Sequence, residues 1–185
     1  MMAKMKKVFT TFLAIMIPVV CIATHQSRKD SRFIVRVGDK MPTFDFVLLN
    51  GDTLDTDYFY GQVVVLQFAA SWCPFSQHQL MDADKRLWQR YKDRQDFAML
   101  GVCEDKDEEG VREFIRQRTE HGITIPFTVD SAEQIYRKFV TPNGSVTRTI
   151  LVDKKGVIAD MHDIHTRRDA RQIRRMVRYL LRLKD

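Results

Sequence analysis

Apolar residues along the chain fall into stretches of distinct period. Val63 to Phe68 is an apolar run without alternation, the pattern of a central strand covered on both faces, and Phe97 to Cys103 reads as a second strand. Between them, after Pro74, residues Leu80, Ala83, Leu87, Trp88 and Tyr91 recur along one helical stripe. Val111, Phe114 and Ile115 do the same behind Asp107, a residue type suited to capping a helix. Pro126 to Val129 is short and strand-like. Ser131-Ala-Glu-Gln134 then has the form of a capping box, opening a short helix through Ile135, Tyr136 and Phe139. Thr147 to Val152 resumes strand, Asp153-Lys-Lys-Gly156 turns the chain, and Val157 and Ile158 return it as an antiparallel hairpin. Upstream, Phe44 to Leu49 meets Asn50-Gly51, a pair that tolerates positive φ and so signals a tight hairpin. Strands alternating with helices predict an α/β architecture: a central mixed sheet flanked by helices, with an N-terminal β-hairpin extension. Right-handed crossovers would bring the C-terminal ends of the first two strands, and with them Cys73 and Cys103, to one edge of the sheet, where chemistry in open α/β sheets collects.

The two ends of the chain differ from this body. Lys4, Lys6 and Lys7 precede an apolar run from Val8 to Ala23, which gives way abruptly to polar sequence; this is the form of an export signal. Pro18 interrupts the run, which is shorter than the roughly 20 residues a spanning helix needs. Three fates follow: cleavage after Ala23, lipid attachment at Cys21, or retention as an anchor. The expected division is a signal or anchor over residues 1–23, a flexible tether over 24–36, and a single domain over 37–185. Without residues 1–23 the chain keeps 27 basic residues against 24 acidic ones. The bias is concentrated between Thr166 and Asp185, where eight Lys or Arg face two Asp. Ile173, Met176, Val177, Leu180 and Leu181 fall on one face there, so this is an amphipathic helix. It either docks its stripe on the sheet with the arginines in solvent, or makes peripheral contact with anionic lipid or an acidic partner. No aromatic-interleaved basic patch points to nucleic acid.

Of three cysteines, Cys21 lies in the signal-like run, leaving Cys73 and Cys103. Two cysteines without paired ligand spacing support neither a disulfide-stapled fold nor a structural metal, and no cofactor is expected. Cys73 stands where strand gives way to helix, in Ala-Ser-Trp-Cys-Pro-Phe-Ser76. Pro74 suits the first helical position, which puts Cys73 at the cap, facing unpaired N–H groups and the positive end of the helix dipole. Both favour thiolate, the nucleophilic form. In a dithiol pair the second cysteine would stand three residues on, but the residue there is Ser76, whose hydroxyl can only hydrogen-bond the thiolate.

Phe-Ala-Ala-Ser-Trp-Cys-Pro74, together with Val-Gly-Asp-Lys-Met-Pro42, Asn50-Gly51, Gly61, Leu100-Gly-Val-Cys-Glu-Asp105 and Leu151-Val-Asp-Lys-Lys-Gly156, resembles the thioredoxin-fold proteins of the bacterial cell envelope, of the TlpA/ResA type. A more distant resemblance is to the AhpC/TSA peroxiredoxins. The match spans roughly residues 37–165 and implies a thioredoxin-like fold and an exported, periplasmic or envelope location. It also implies partners that are client-protein disulfides or thiols, served by an unidentified electron donor. On this resemblance Cys73 is the nucleophile, with Trp72, Pro74, Phe75 and Thr147 lining the client site. The departures fall on the chemistry. Ser76 replaces the second cysteine, Thr147 stands where a cis-proline faces the active cysteine, and Gln79 and Met81 replace a glutamate and a proline. For a peroxiredoxin, Ala70 stands where a threonine is needed, and Arg148 is one position from the peroxidase arginine.

Three roles stay open. The first is thiol–disulfide exchange through a single cysteine, by a monothiol reductase or an isomerase-like protein. The second is a non-catalytic binding domain, and the third a one-cysteine peroxidase. Cys103 is either a small buried hydrophobe or a resolving thiol on the adjacent strand. His78, His162 and His165 read as surface residues.

Overall fold

The computed structural model describes residues 32–120, 122–163 and 166–183. Its centre is β3 (Val63–Ala69), buried at all seven positions. Strand β1 is Asp45–Val47, β2 is Thr53–Asp55, β4 is Phe97–Cys103, β5 is Phe127–Val129, β6 is Arg148–Val152 and β7 is Ile158–Asp163. Among the described residues the main sheet runs β5-β4-β3-β6-β7, with β3, β4 and β5 parallel and β6 and β7 antiparallel to their neighbours. The expected mixed sheet is therefore present. It has two faces because β3 sends alternate side chains both ways. Val63, Val65 and Ala69 join one core with Leu80, Ala83 and Leu87, while Val64, Leu66 and Phe68 join the other with Phe44, Phe46 and Phe139. Each Val or Leu so buried contributes about 1.5–3 kcal/mol.

Helices α1 (Pro74–Ala83), α2 (Gln89–Tyr91) and α3 (Glu108–Glu120) lie in the crossovers, and α4 (Arg167–Leu180) closes the chain. The stripe expected to run unbroken to Tyr91 is interrupted by a π turn, Asp84–Trp88. A π turn inserts an extra residue, and its cause here is the buried Asp84. That carboxylate accepts hydrogen bonds from the Thr124 backbone N–H at 2.8 Å and from Gln89 at 3.2 Å. Helix α4 docks as its amphipathicity predicts, with Ile173, Val177 and Leu180 buried and Thr166 and Asp169 forming a capping box.

Two sequence expectations change, and a third is met. Residues 32–36, assigned to the tether, are bonded to the domain: Phe33 bridges to Val140, and the Ile34 N–H donates to the Phe139 carbonyl at 2.8 Å. Apolar Phe33 and Val35 outweigh the polar character of that stretch. The cap before Tyr136 is not Ser131. Asp130 accepts from the backbone N–H groups of Ile135 and Tyr136, at 3.0 and 2.8 Å, and the helical piece shrinks to a 3₁₀ turn, Tyr136–Lys138. The N-terminal hairpin is present as β1 and β2, with Gly51 at φ 92° in its turn, and Leu48 bridges to Thr128 on the edge strand β5. No helix among the described residues is long and apolar enough to cross a membrane. Cys21 and His165 lie outside the described residues.

Gly101 is level with Phe127 across the β4–β5 pair, and a Cβ added there would collide with the Phe127 ring. Gly101→Ala is expected to lower the unfolding free energy by about 1–3 kcal/mol in urea titrations, the usual range for overpacking.

Candidate active site

The chain leaves β3 at Ala69 and enters α1 at Pro74, with Cys73 as the N-cap residue in extended geometry, φ −93° and ψ 108°. Its carbonyl accepts from the Gln77 N–H at 3.1 Å and closes the first turn. The half-buried Cys73 thiol is pulled two ways. Burial raises its pKa, but the backbone N–H and hydroxyl of Ser76, the Phe75 N–H and the Thr147 hydroxyl all favour the thiolate, and the net shift is downward.

Ser76 and Thr147 are both fully buried, and their hydroxyl oxygens lie 2.6 Å apart. The residue at the second-cysteine position is thus bound to the residue at the cis-proline position. No cis peptide bond occurs among the described residues. Trp72 is 66 % exposed and Phe75 37 %, and together with exposed Pro74 they rim the thiol with apolar surface. His78 is exposed as expected. His162 differs from expectation, since it is only 12 % exposed and its Nε2 lies 2.8 Å from the Asp160 carboxylate. Its place on β7 draws it against the sheet.

Several supports of this loop were not read from the sequence. Asp105, just past β4, accepts from both the N–H and the hydroxyl of Ser71, each at 2.8 Å. The Gln77 amide donates to the Ser71 carbonyl at 2.7 Å, and Arg118 of α3 holds the Gln77 oxygen at 2.6 Å. Gln67, buried in mid-β3, accepts from Thr149 at 2.7 Å. The available clue for Asp105 was its position at the same sheet edge as Cys73. The neighbouring Glu104 carboxyl is pushed up to about 9, first by burial and then by Asp130 and Glu133, so it is uncharged at neutral pH.

Cys103 lies level with Ala69, four residues before Cys73, and is fully buried in the core with Leu80 and Ala83. Burial, Asp105 and Glu104 all raise its pKa and keep it protonated. To resolve a disulfide on Cys73 it would have to leave the core. Arg148 is also fully buried, on the opposite face of β6 from Thr147. Its guanidinium pairs with Asp163 at 2.6 Å and lies 4.4 Å from the centre of the Phe33 ring. It therefore does not stand with Cys73 as a peroxidase arginine would.

A cysteine capping a helix at the C-terminal edge of this mixed sheet defines a thiol–disulfide oxidoreductase-like protein of the thioredoxin fold. The chain belongs to the Redoxin family, which it matches over residues 36–173. It is similar to the thioredoxin-like protein YneN of Bacillus subtilis, 26 % identical over 144 residues that cover 75 % of this chain and 78 % of that one. It is also similar to the thiol-disulfide oxidoreductase ResA of Bacillus thuringiensis subsp. konkukian, 23 % identical with 83 % and 87 % covered. Among solved structures, a putative protein disulfide isomerase from Bacteroides thetaiotaomicron matches with a TM-score of 0.76 at 28 % identity, over 82 % of this chain and 94 % of that one.

Because the folded thiol ionises below its ordinary value, unfolding takes up a proton between the two values, and there stability rises with pH. The alkylation rate of Cys73 is expected to rise with a midpoint below the free-thiol value of about 8.5. Ser76→Ala and Thr147→Val should each move that midpoint upward, with Cys73→Ser giving the background from Cys103.

Proposed function

We propose that the protein carries out thiol–disulfide exchange on client proteins of the cell envelope through Cys73 alone, as a monothiol reductase or isomerase-like enzyme. The observation that carries this reading is the buried Ser76–Thr147 hydroxyl pair beside a thiol of lowered pKa. The position of a resolving thiol holds a group that stabilises the thiolate and cannot form a disulfide. The envelope location is supported by the lysines and apolar run of residues 4–23 and by the likeness to proteins named ResA.

The Cys73 thiolate attacks one sulfur of a client disulfide, forms a mixed disulfide and releases the client's other sulfur as a thiolate, which takes a proton. Release follows one of two routes. If a third client thiol attacks the client sulfur of the mixed disulfide, a new client disulfide forms and Cys73 leaves unchanged as thiolate, whereas attack by the freed client thiolate only restores the starting disulfide. The client is then isomerised with no net electron transfer. If two equivalents of a small thiol act in turn, one frees Cys73 and the second resolves the client adduct; the client gains two electrons and the small thiol is oxidised to its disulfide. No cofactor enters either route. Trp72 and Phe75 supply the apolar contact for the client chain.

With no resolving partner on the enzyme, the mixed disulfide should persist until a client thiol or a small thiol attacks it. Acid-quenched mixtures with a disulfide-bonded client are expected to show reducible adducts on non-reducing gels, absent with Cys73→Ala. Ser76→Cys should diminish them and form an intramolecular disulfide under mild oxidant, because side chains three apart on a helix lie about 5–6 Å apart at Cβ and need only a small adjustment to bridge. Absence of adducts, with client binding retained in Cys73→Ala, would instead make the site a non-catalytic docking surface.

A further inference from the structure

The outer face of α4 carries a line of charge that the exchange chemistry does not use. Arg168, Arg171, Arg175 and Arg178 follow one another at spacings of three, four and three residues, so they lie along a single face of α4, and Arg182 follows in the turn just past the helix; all five are exposed. The four on the helix span about 15 Å at 1.5 Å per residue. Elsewhere four exposed arginines on helical turns sit beside a carboxylate one turn away, Arg86 with Asp82, Arg112 with Glu108, Arg116 with Glu113 and Arg137 with Glu133, and Arg90 of α2 does not. Among the described residues none of these five has such a partner, and the Asp169 carboxylate is taken up by Thr166. A face that served only solubility would be interleaved with acids like the others.

Beside this line, α4 and the π turn enclose an open cleft of about 460 Å³. Lys85, Arg86, Arg90, Arg174 and Arg178 line it, together with Tyr91. Asp82 holds Arg86 at 2.5 Å and Arg174 at 3.0 Å, which fixes two of these cations in the wall. Lys85, Arg90 and Arg178 have no carboxylate partner among the described residues. At the C-terminal end of the same helix Tyr179 is 57 % exposed and Leu183 44 %. An amphipathic aromatic and an aliphatic residue beside a row of arginines is the composition of a headgroup-level contact. The apolar stripe of α4 is already buried in the core, so the helix would lie on a surface without inserting that stripe.

We propose that this face docks the domain on an anionic lipid bilayer, with the Lys85–Arg90–Arg178 cleft receiving a headgroup phosphate. The length and straightness of the arginine line favour an extended anionic surface over a single soluble anion. Tyr179 and Leu183 favour lipid over a purely polar polyanion.

The test uses the full chain with vesicles of phosphatidylglycerol and phosphatidylcholine against pure phosphatidylcholine, read by co-sedimentation and by amide exchange over residues 167–183. The apolar run at residues 8–23 would hold the chain on either vesicle, so the quantity that decides is the preference for the anionic one. The expected result is a marked preference, with slowed exchange at Tyr179 to Leu183, both lost in 0.5 M salt. Each near-surface cation is worth about fivefold in binding, so Lys85→Gln/Arg90→Gln/Arg178→Gln should weaken the anionic preference about a hundredfold. Its melting temperature and Cys73 alkylation profile should not change. If the triple variant melts lower, the exposed pair Arg171→Gln/Arg175→Gln provides the same reading. Equal binding to both vesicles, or a preference unchanged by the substitutions, would overturn the proposal. So would loss of binding in millimolar glycerol phosphate, which would mark a soluble phosphorylated ligand, and so would equal affinity for duplex DNA.

Discussion

The burial of β3 on both faces is the constraint from which the rest follows. A strand with no exposed side chain needs a layer on each side, and the chain supplies α1 and α4 for one, Phe33, Phe44, Phe46 and Phe139 for the other. It also forces the polar work to the strand's end, because only beyond Ala69 does the backbone reach the surface. The loop there must satisfy its own N–H and C=O groups. Asp105 and Gln77 do so for Ser71, and through Arg118 they tie the loop to α3. An unmet buried polar group costs about 1–3 kcal/mol, more than the 0.3–1 kcal/mol a helix dipole gives a charge at its end. The bracing of this loop therefore decides whether the cap geometry that activates Cys73 exists at all.

Within that frame the hydroxyl pair has a definite proton count. Ser76 and Thr147 carry one proton each, and the 2.6 Å contact between their oxygens uses one of them. The other is left to point at the sulfur, and both side chains act to lower the Cys73 pKa. A dithiol would hold one sulfur as the internal leaving group of the other. The Ser76–Thr147 pair holds the thiolate without offering a second sulfur, so the electron pair moves only when an outside thiol arrives. The same stabilisation that makes Cys73 ionise readily also makes it a good leaving group from a mixed disulfide. Release by a client's own thiol is thereby favoured.

Much of this was legible in the sequence because it rests on period and on strong local signals. The unbroken run at Val63, Asn50-Gly51, the stripe of α4 and the Trp-Cys-Pro junction are each decided within a few residues. What escaped depends on contacts between distant segments. The π turn exists because Asp84 is drawn in by Thr124, 40 residues on, and the docking of residues 32–36 depends on meeting Phe139 to Thr141. At the site, Cys73, Trp72 and Ser76 could be placed by the junction alone. The hydrogen bond between Ser76 and Thr147, 71 residues apart, and the sequestration of Arg148 under Phe33 follow only from the register of β3 against β6.

The two charged features of the molecule share one element. Helix α1 begins at Cys73 and runs into the π turn that carries Lys85, Arg86 and the wall of the basic cleft. Lys85 is twelve positions on from Cys73, about 18 Å at 1.5 Å per residue. If the Asp84 contact fixes the π turn, it also fixes the orientation of the arginine face relative to the thiol. At the other end of that element the apolar rim of Trp72 and Phe75 stays exposed beside the thiol. The buried carboxylate that distorts the helix thus joins the site that reacts with the client to the face that would determine which clients it meets.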